Sequence, residues 1–304
     1  MLRSRLAAGL AALALACLPC AAAEARDTTG LLVLGSDFGL GDGAVAAMKG
    51  TALGVGRGLV LHDLTHEIPP FDVWYGAYQL ALAMPYWPKG TVFLVVVDPG
   101  AAAGRGAVVA RTRSGQFFVG PDNGLLTLVA EKIGIEEVRR IDDEKAAAAT
   151  GESAAPGVRD HLALTAARLA SGDLELTAVG PALPGDVVRL PYPKASLEGG
   201  VALGMVAALE VTFGNVWTNI DRGLFERLGI APGQPVAVKV LRQGEVVFEG
   251  EVPFALSFSD VPDGEPLAYL NGDGNLALAV RYGNFAEDYG VEAGTEWRVE
   301  LAKP

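Results

Sequence analysis

The apolar positions of the chain fall into two textures. Between Gly30 and about Leu183, short continuous apolar runs alternate with longer amphipathic stretches. Leu31-Leu32-Val33-Leu34 shows no polar alternation, the mark of a strand buried on both faces. It gives way to Gly35-Ser36-Asp37-Phe38-Gly39, and a helical stretch follows from Gly43 to Leu53. Leu59-Val60-Leu61 predicts a second short strand and Trp74 to Met84 a second helix. Thr91 to Val97 predicts a third strand, closed by Asp98-Pro99-Gly100. Gly106 to Arg111 and Gln116 to Val119 predict two more strands, and a helix is expected between Asp122 and Ile133. Strand–helix alternation of this kind implies an α/β domain with a mostly parallel sheet covered by helices.

Prolines at 181, 184, 191 and 193 and glycines at 185, 199 and 200 then interrupt the pattern. We read an α/β domain over residues 29–183, a linker over 184–200 and a second domain over 201–304. In the second domain the runs at 206–212, 236–241, 245–248, 267–270, 276–280 and 297–301 are short and turn-bounded. That spacing predicts a small C-terminal antiparallel β-barrel or sandwich.

The first residues belong to neither texture. Arg3 and Arg5 precede an apolar run from Ala7 to Ala16 that is too short to span a bilayer, and small residues follow at 21–23 and 25. Residues 1–25 therefore read as a secretory signal peptide, which implies a periplasmic or secreted protein with no membrane attachment after cleavage. Cys17 and Cys20 are the only cysteines of the 304 residues, and both lie in this segment. The remainder is expected to have no disulfide, thiolate metal site or thiol nucleophile. With 24 Lys+Arg against 36 Asp+Glu, the net charge of −12 disfavours binding to nucleic acid or anionic lipid and suits a cationic ligand.

Two acids stand at predicted strand ends, Asp37 and Asp98, where open α/β sheets bind ligands. Such an Asp can accept both hydroxyls of a ribose; it can equally cap a turn. Arg105 follows Asp98 across a run of small residues, close enough in sequence for the two to pair and orient a polar nucleophile. His62 and His66 are spaced as a metal pair would be on a helix, but they sit at a strand end before Pro69-Pro70, so a metal site is not expected. In the second domain, Phe213-Gly214-Asn215-Val216-Trp217-Thr218-Asn219 joins rings to amides that can stack on and read a purine. Arg281-Tyr282-Gly283-Asn284-Phe285 offers similar chemistry.

Taken in order, a set of these segments resembles the S-adenosylmethionine (SAM) hydroxide adenosyltransferases, or SAM hydrolases, whose relatives are the SAM-dependent fluorinase and chlorinase. The matching pieces are Ser36-Asp37-Phe38-Gly39, Met48-Lys49-Gly50, the run from Asp63 to Asp72, Pro88-Lys89-Gly90, Val97-Asp98-Pro99-Gly100, Gly120 to Gly124, Arg159-Asp160, Phe213 to Ile220 and Phe258-Ser259-Asp260-Val261. The resemblance implies an α/β domain followed by a β-barrel, usually in a homotrimer with the ligand between subunits. It implies an enzyme that attacks C5′ of SAM with water and releases adenosine and methionine, with SAM as substrate and no cofactor. A sulfonium is already a good leaving group, so the site need only position and partly desolvate the nucleophile. On the same resemblance, Asp37 holds the ribose, Asp98 and Arg105 the water, and Asn215 the adenine. Phe213 and Trp217 line the ligand, Glu210 faces the methionine amino group, and Phe71 and Arg281 join the substrate-binding residues. Asp98 favours hydrolase over halogenase, because a carboxylate beside the nucleophile repels a halide.

The chain departs from the family pattern at two places. The family's His-Gly-Arg-Asp appears here as Gly157-Val158-Arg159-Asp160, which removes the third member of the water-positioning set, with His161 nearby. Gly272-Asp273 stands where the halogenase has a Ser-Arg pair for the methionine carboxylate. These departures keep a second class of function in view, a non-catalytic adenosine- or nucleoside-binding protein on the same scaffold.

Overall fold

The computed structural model describes residues 27–102, 106–142, 158–184 and 187–304. The signal-peptide reading of residues 1–25, Arg105 and Gly157 lie outside the described residues.

Among the described residues, six strands build the first sheet: β1 (Leu31–Ser36), β2 (Val60–Thr65), β3 (Val92–Val96), β4 (Ala107–Thr112), β5 (Phe117–Pro121) and β6 (Ile135–Arg140). Their order is β2-β1-β3-β5-β4-β6. β1 runs parallel to β2 and β3, and β3 parallel to β5, while β4 is antiparallel to both of its neighbours. The sheet is thus mostly parallel, as the run–stretch alternation implied. Helices α1 (Ala44–Val55), α2 (Val73–Ala83), α3 (Thr127–Lys132) and α4 (Val158–Ser171) cover it. Side-chain alternation along β1 and β3 divides the core in two. Leu32, Leu34, Val92, Leu94 and Val96 pack against α1 and α4. Val33, Phe93, Val95 and Val97 pack against α2 and α3. Burial on both faces explains why these strands read as continuous apolar runs.

The second half forms β7 (Ser196–Glu198), β8 (Val201–Leu209), β9 (Val216–Asp221), α5 (Arg222–Glu226), β10 (Pro235–Arg242), β11 (Glu245–Pro253), β12 (Pro266–Leu270), β13 (Asn275–Val280), α6 (Phe285–Tyr289) and β14 (Gly294–Ala302). The antiparallel order β11-β10-β14-β8-β9-β13-β12 is nearly closed into a barrel, because Ala255, just past β11, donates to the Ala268 carbonyl of β12 at 2.8 Å. One core fills it, with Trp297, Phe225 and Phe285 fully buried.

The structure differs from the sequence reading in several elements. β6, α4 and β9 form where no separate element was predicted. The strand expected over 206–212 instead occupies Val201–Leu209, and residues 210–215 turn sharply: Gly214 donates to the Glu210 carbonyl and Glu210 to the Asn215 carbonyl, each at 2.9 Å. β11 extends well past Phe248. Within the 184–200 segment, β7 pairs with β8, Val187 is buried in the α2–α3 core, and Val188 donates to Asp122 Oδ1 at 2.8 Å. The described part of this segment is packed rather than free. No helix among the described residues is long and apolar enough to cross a membrane.

Candidate active site

β2 and β3 lie on opposite sides of β1, so the strand order reverses there, at the carboxyl ends of β1 and β3. Asp37 directly follows β1, and Asp98 follows β3 with Val97 between. The two acids singled out from the sequence therefore meet at the one place in this sheet where open α/β folds hold ligands.

Their contact is direct. Asp37 Oδ2 accepts the backbone N–H of Phe71 at 3.0 Å and that of Asp98 at 3.4 Å. Phe71 and Asp98 both have left-handed backbones, with φ of 65° and 39°. Each such non-glycine residue costs on the order of 1–2 kcal/mol, so the surrounding bonds must hold it. Asn123, buried behind them, supplies two: its Nδ2 donates to the Val97 carbonyl at 2.8 Å and to the Asp98 carbonyl at 3.1 Å. Asp98 is clamped through its amide and its carbonyl, and its side chain stays partly exposed. Phe71 is 72% exposed at the mouth of α2, whose N-cap Asp72 accepts from Tyr75 N at 2.8 Å. Asn123 was not recognised individually from the sequence; its signal was the Gly-rich 120–124 segment.

The barrel contributes a second group. Glu210 Oε2 accepts the Phe213 N–H at 2.7 Å, and Glu210 Oε1 accepts that of Thr212 at 3.1 Å, which fixes the β8–β9 turn. Gly214 takes φ of 66°, and a Cβ there would collide with the Asn284 side chain. Phe213 is 63% exposed, while Asn215 is buried beside it. Trp217 packs its ring 6.3 Å from that of Tyr78 on α2, so it fills the junction between the two halves. Between the groups lies the first turn of α2: burial raises the Tyr75 phenol above its ordinary value, and the carboxylates of Asp72 and Glu210 add to that. Arg281 is engaged elsewhere. Its Nε pairs with Asp263 at 2.9 Å and its Nη1 donates to the Val261 carbonyl at 2.6 Å. Near the β12–β13 turn, burial also raises the Asp273 carboxyl.

His62 and His66 do not form a metal pair. The His62 ring packs edge-on against Trp87, whereas His66 turns toward β1. Ser36 Oγ lies 2.7 Å from His66 Nδ1, Asp63 Oδ1 3.2 Å from His66 Nε2, and Lys49 Nζ donates to Asp63 Oδ2 at 2.7 Å. This four-residue chain joins α1, β2 and β1, and the sequence reading did not find it. Burial pushes the His66 imidazole below its ordinary value against the pull of Asp63. Partial burial opposes charge on Asp63, but the bonds from Lys49 and His66 prevail and lower it. Among the described residues, no three His, Cys, Asp or Glu side chains are grouped to hold a metal ion.

Comparison with known proteins places the chain in a family. Residues 32–180 match the SAM hydroxide adenosyltransferase N-terminal domain, and residues 205–298 match the C-terminal domain of the same family. A fluorinase of Actinoplanes sp. is 33% identical over 284 residues, 85% of this chain and 93% of its own. An (R)-S-adenosyl-L-methionine hydrolase of Thermus thermophilus is 37% identical over 272 residues, 87% of this chain and 97% of its own. A crystal structure of an uncharacterised conserved protein from Thermotoga maritima superposes with a TM-score of 0.80 at 34% identity, covering 90% of this chain and all of the other.

Proposed function

Because this chain belongs to the SAM hydroxide adenosyltransferase family, we propose that it hydrolyses SAM to adenosine and methionine by in-line attack of water at C5′. The water oxygen bonds to C5′, the C5′–S bond breaks with its electron pair going to sulfur, and the surplus proton on the new hydroxyl passes to solvent. The positive sulfonium becomes the neutral thioether of methionine, so leaving-group activation is built into the substrate. The enzyme's task is placement of a single water behind C5′.

The observation that carries this reading is the clamp on Asp98. A carboxylate held in a costly left-handed backbone by Asp37 and Asn123, at the switch point of the sheet, fits a group that must present one acceptor in one direction. In this proposal Asp98 and Arg105 orient the water, and Asp37 binds the ribose hydroxyls. Asn215 reads the adenine edge, while Phe71, Phe213 and Trp217 supply apolar walls. Glu210 receives the methionine ammonium. Large apolar side chains left exposed on both halves, Phe71 and Phe213 among them, suit a site completed by a second subunit of a homotrimer. No cofactor is required, and the signal-peptide pattern of residues 1–25 makes a periplasmic or secreted protein our reading.

The test is incubation of the protein lacking residues 1–25 with SAM in 18O-water. Adenosine labelled at the 5′-oxygen, together with methionine, supports hydrolysis. Gly157 in place of the family histidine is the observation that favours a second reading, nucleoside binding without turnover. Tight adenosine binding with intact SAM selects that reading, and gain of turnover in Gly157→His then identifies what was lost.

A further inference from the structure

Ser36, His66, Asp63 and Lys49 line up in the order of a nucleophile–base–acid constellation, yet Ser36 is completely buried. No substrate carbonyl can reach its hydroxyl, so the chain does not serve nucleophilic catalysis. What it does touch is the loop that carries Asp37. We propose that Ser36, His66, Asp63 and Lys49 form a positioning relay that holds the Asp37 loop in its ligand-binding shape and releases it when His66 is protonated. The proposal rests on the carboxyl ends of β1 and β3 being the nucleoside site, and it adds residues to which that reading gives no role.

The argument begins with the loop. His66 grips both ends of the four residues Ser36–Gly39. Its ring meets Ser36 Oγ at 2.7 Å, and its carbonyl accepts the Gly39 N–H at 2.8 Å. Asp37 lies between these two anchors, and its carboxylate in turn fixes the backbones of Phe71 and Asp98. Disturbing His66 therefore reaches both acids of the site without touching the ligand.

The protons in the relay are determined by its neighbours. Asp63 accepts from Lys49 and faces His66 Nε2, so a bare nitrogen there would oppose a carboxylate. The proton of the neutral ring is accordingly on Nε2, donated to Asp63. Nδ1 is then an acceptor, and it receives the Ser36 O–H, while Ser36 Oγ accepts a long contact from Phe38 N at 3.4 Å. A second proton on the ring converts Nδ1 into a donor. Ser36 Oγ must then accept from the imidazolium, its own hydrogen loses its partner in a site with no exposure, its contact with the Phe38 N–H is contested, and the hold on the loop weakens. The charged groups around His66 are Asp63 on β2, Lys49 on α1 and the adjacent Glu67; the two acids favour the imidazolium, and Lys49 and burial oppose it.

The experiment combines nitrogen NMR of the imidazoles, amide hydrogen exchange at Phe38 and Gly39, and adenosine affinity between pH 5 and 8. It uses the wild type, Ser36→Ala and Asp63→Asn. With three histidines in the chain, His66 can be assigned by His66→Gln. The expected wild type holds a neutral ring protonated at Nε2 and titrates below 6.5. Loss of the Ser36 donor removes a bond that favours the neutral ring, so Ser36→Ala moves the acid limb up. Loss of the Asp63 charge removes a bond that favours the cation, so Asp63→Asn moves it down. At pH 7.5, Ser36→Ala weakens adenosine binding and speeds exchange at Phe38 and Gly39 by about tenfold, the scale of one lost hydrogen bond. A wild-type ring protonated at Nδ1, acid limbs that move together, or exchange within about twofold of wild type overturns the relay. A wild type that neither binds adenosine nor consumes SAM overturns the functional reading instead, and the exchange and NMR results still decide the loop clamp.

Discussion

At the scale of single residues, Asp98 separates stability from function. Its left-handed backbone is one that glycine adopts without penalty and asparagine tolerates well. Asp98→Gly relieves the strain and is expected to leave stability equal to wild type or raise it by up to about 1 kcal/mol, offset by the added freedom of the unfolded chain. The same change removes the carboxylate proposed to hold the water, so turnover of SAM falls by about 100-fold or more. Asp98→Asn keeps the shape and loses the charge; it should match wild type in thermal stability and fall with glycine in kcat, while KM changes little. A thermal melt and a steady-state assay on the two variants check this. Loss of stability in Asp98→Gly would show that the side chain supports the fold rather than the reaction. The histidine relay is a different residue-scale case, because its pH sign follows from burial. A ring whose folded value lies below 6.5 stabilises the fold fully above that pH and loses the contribution as pH falls through its folded value.

At the scale of elements, the sheet places the two acids by backbone approach. Gly120 on β5 sits so close to β3 that a Cβ would strike the Val95 carbonyl oxygen and the Phe118 ring. Backbone cannot yield as a flexible side chain can, so Gly120→Ala should destabilise by about 2–3 kcal/mol and displace β3, Asp98 with it. Urea unfolding and SAM turnover measure both effects. A variant of wild-type stability and activity would mean that β3 and β5 can separate freely. The elements also show what the sequence made legible. β1 and β3 announced themselves because both faces are buried, and their acids followed at predictable ends. β6 did not, because Ile135-Glu136-Glu137-Val138-Arg139-Arg140 is an edge strand dressed in charge. β9 was hidden by its polar positions: Thr218 is buried only because its hydroxyl donates to the Leu276 carbonyl of β13 at 2.7 Å. α4 did carry a periodic signal in Leu162, Ala163, Ala166, Leu169 and Ala170, all buried against the sheet. The His66 relay had none, since the meeting of Ser36 with His66 depends on how β1 and β2 pair, and that register is a tertiary fact.

At the scale of the whole molecule, the two halves must hold a fixed relation if residues of both are to line ligand sites. The join is specific. Strand pairing between β8 and β9 shifts register between Val206 and Ala208, and this bulge turns the Ala207 carbonyl out of the ladder. Trp74 on α2 donates its Nε1 to that oxygen at 2.8 Å, its ring tilts against Tyr192 at 4.7 Å, and Tyr78 meets Trp217 one turn further on. Ala207 is almost fully buried, so a lost donor leaves its carbonyl without compensation from solvent. Trp74→Phe keeps a ring in the junction but removes the donor, and it should cost about 1–3 kcal/mol. The cost falls on the docking of the barrel, because the barrel and the α1–α4 side of the sheet have cores of their own, while the α2–α3 core is shared through Ala207 and Ala208 of β8. Calorimetry is therefore expected to show the transition broaden, with the van't Hoff enthalpy dropping below the calorimetric one as the halves begin to unfold separately. A single sharp transition at the wild-type Tm would mean that apolar packing of Trp217 and Tyr192 alone fixes the two halves, and that the β8 bulge has no part in aligning the site.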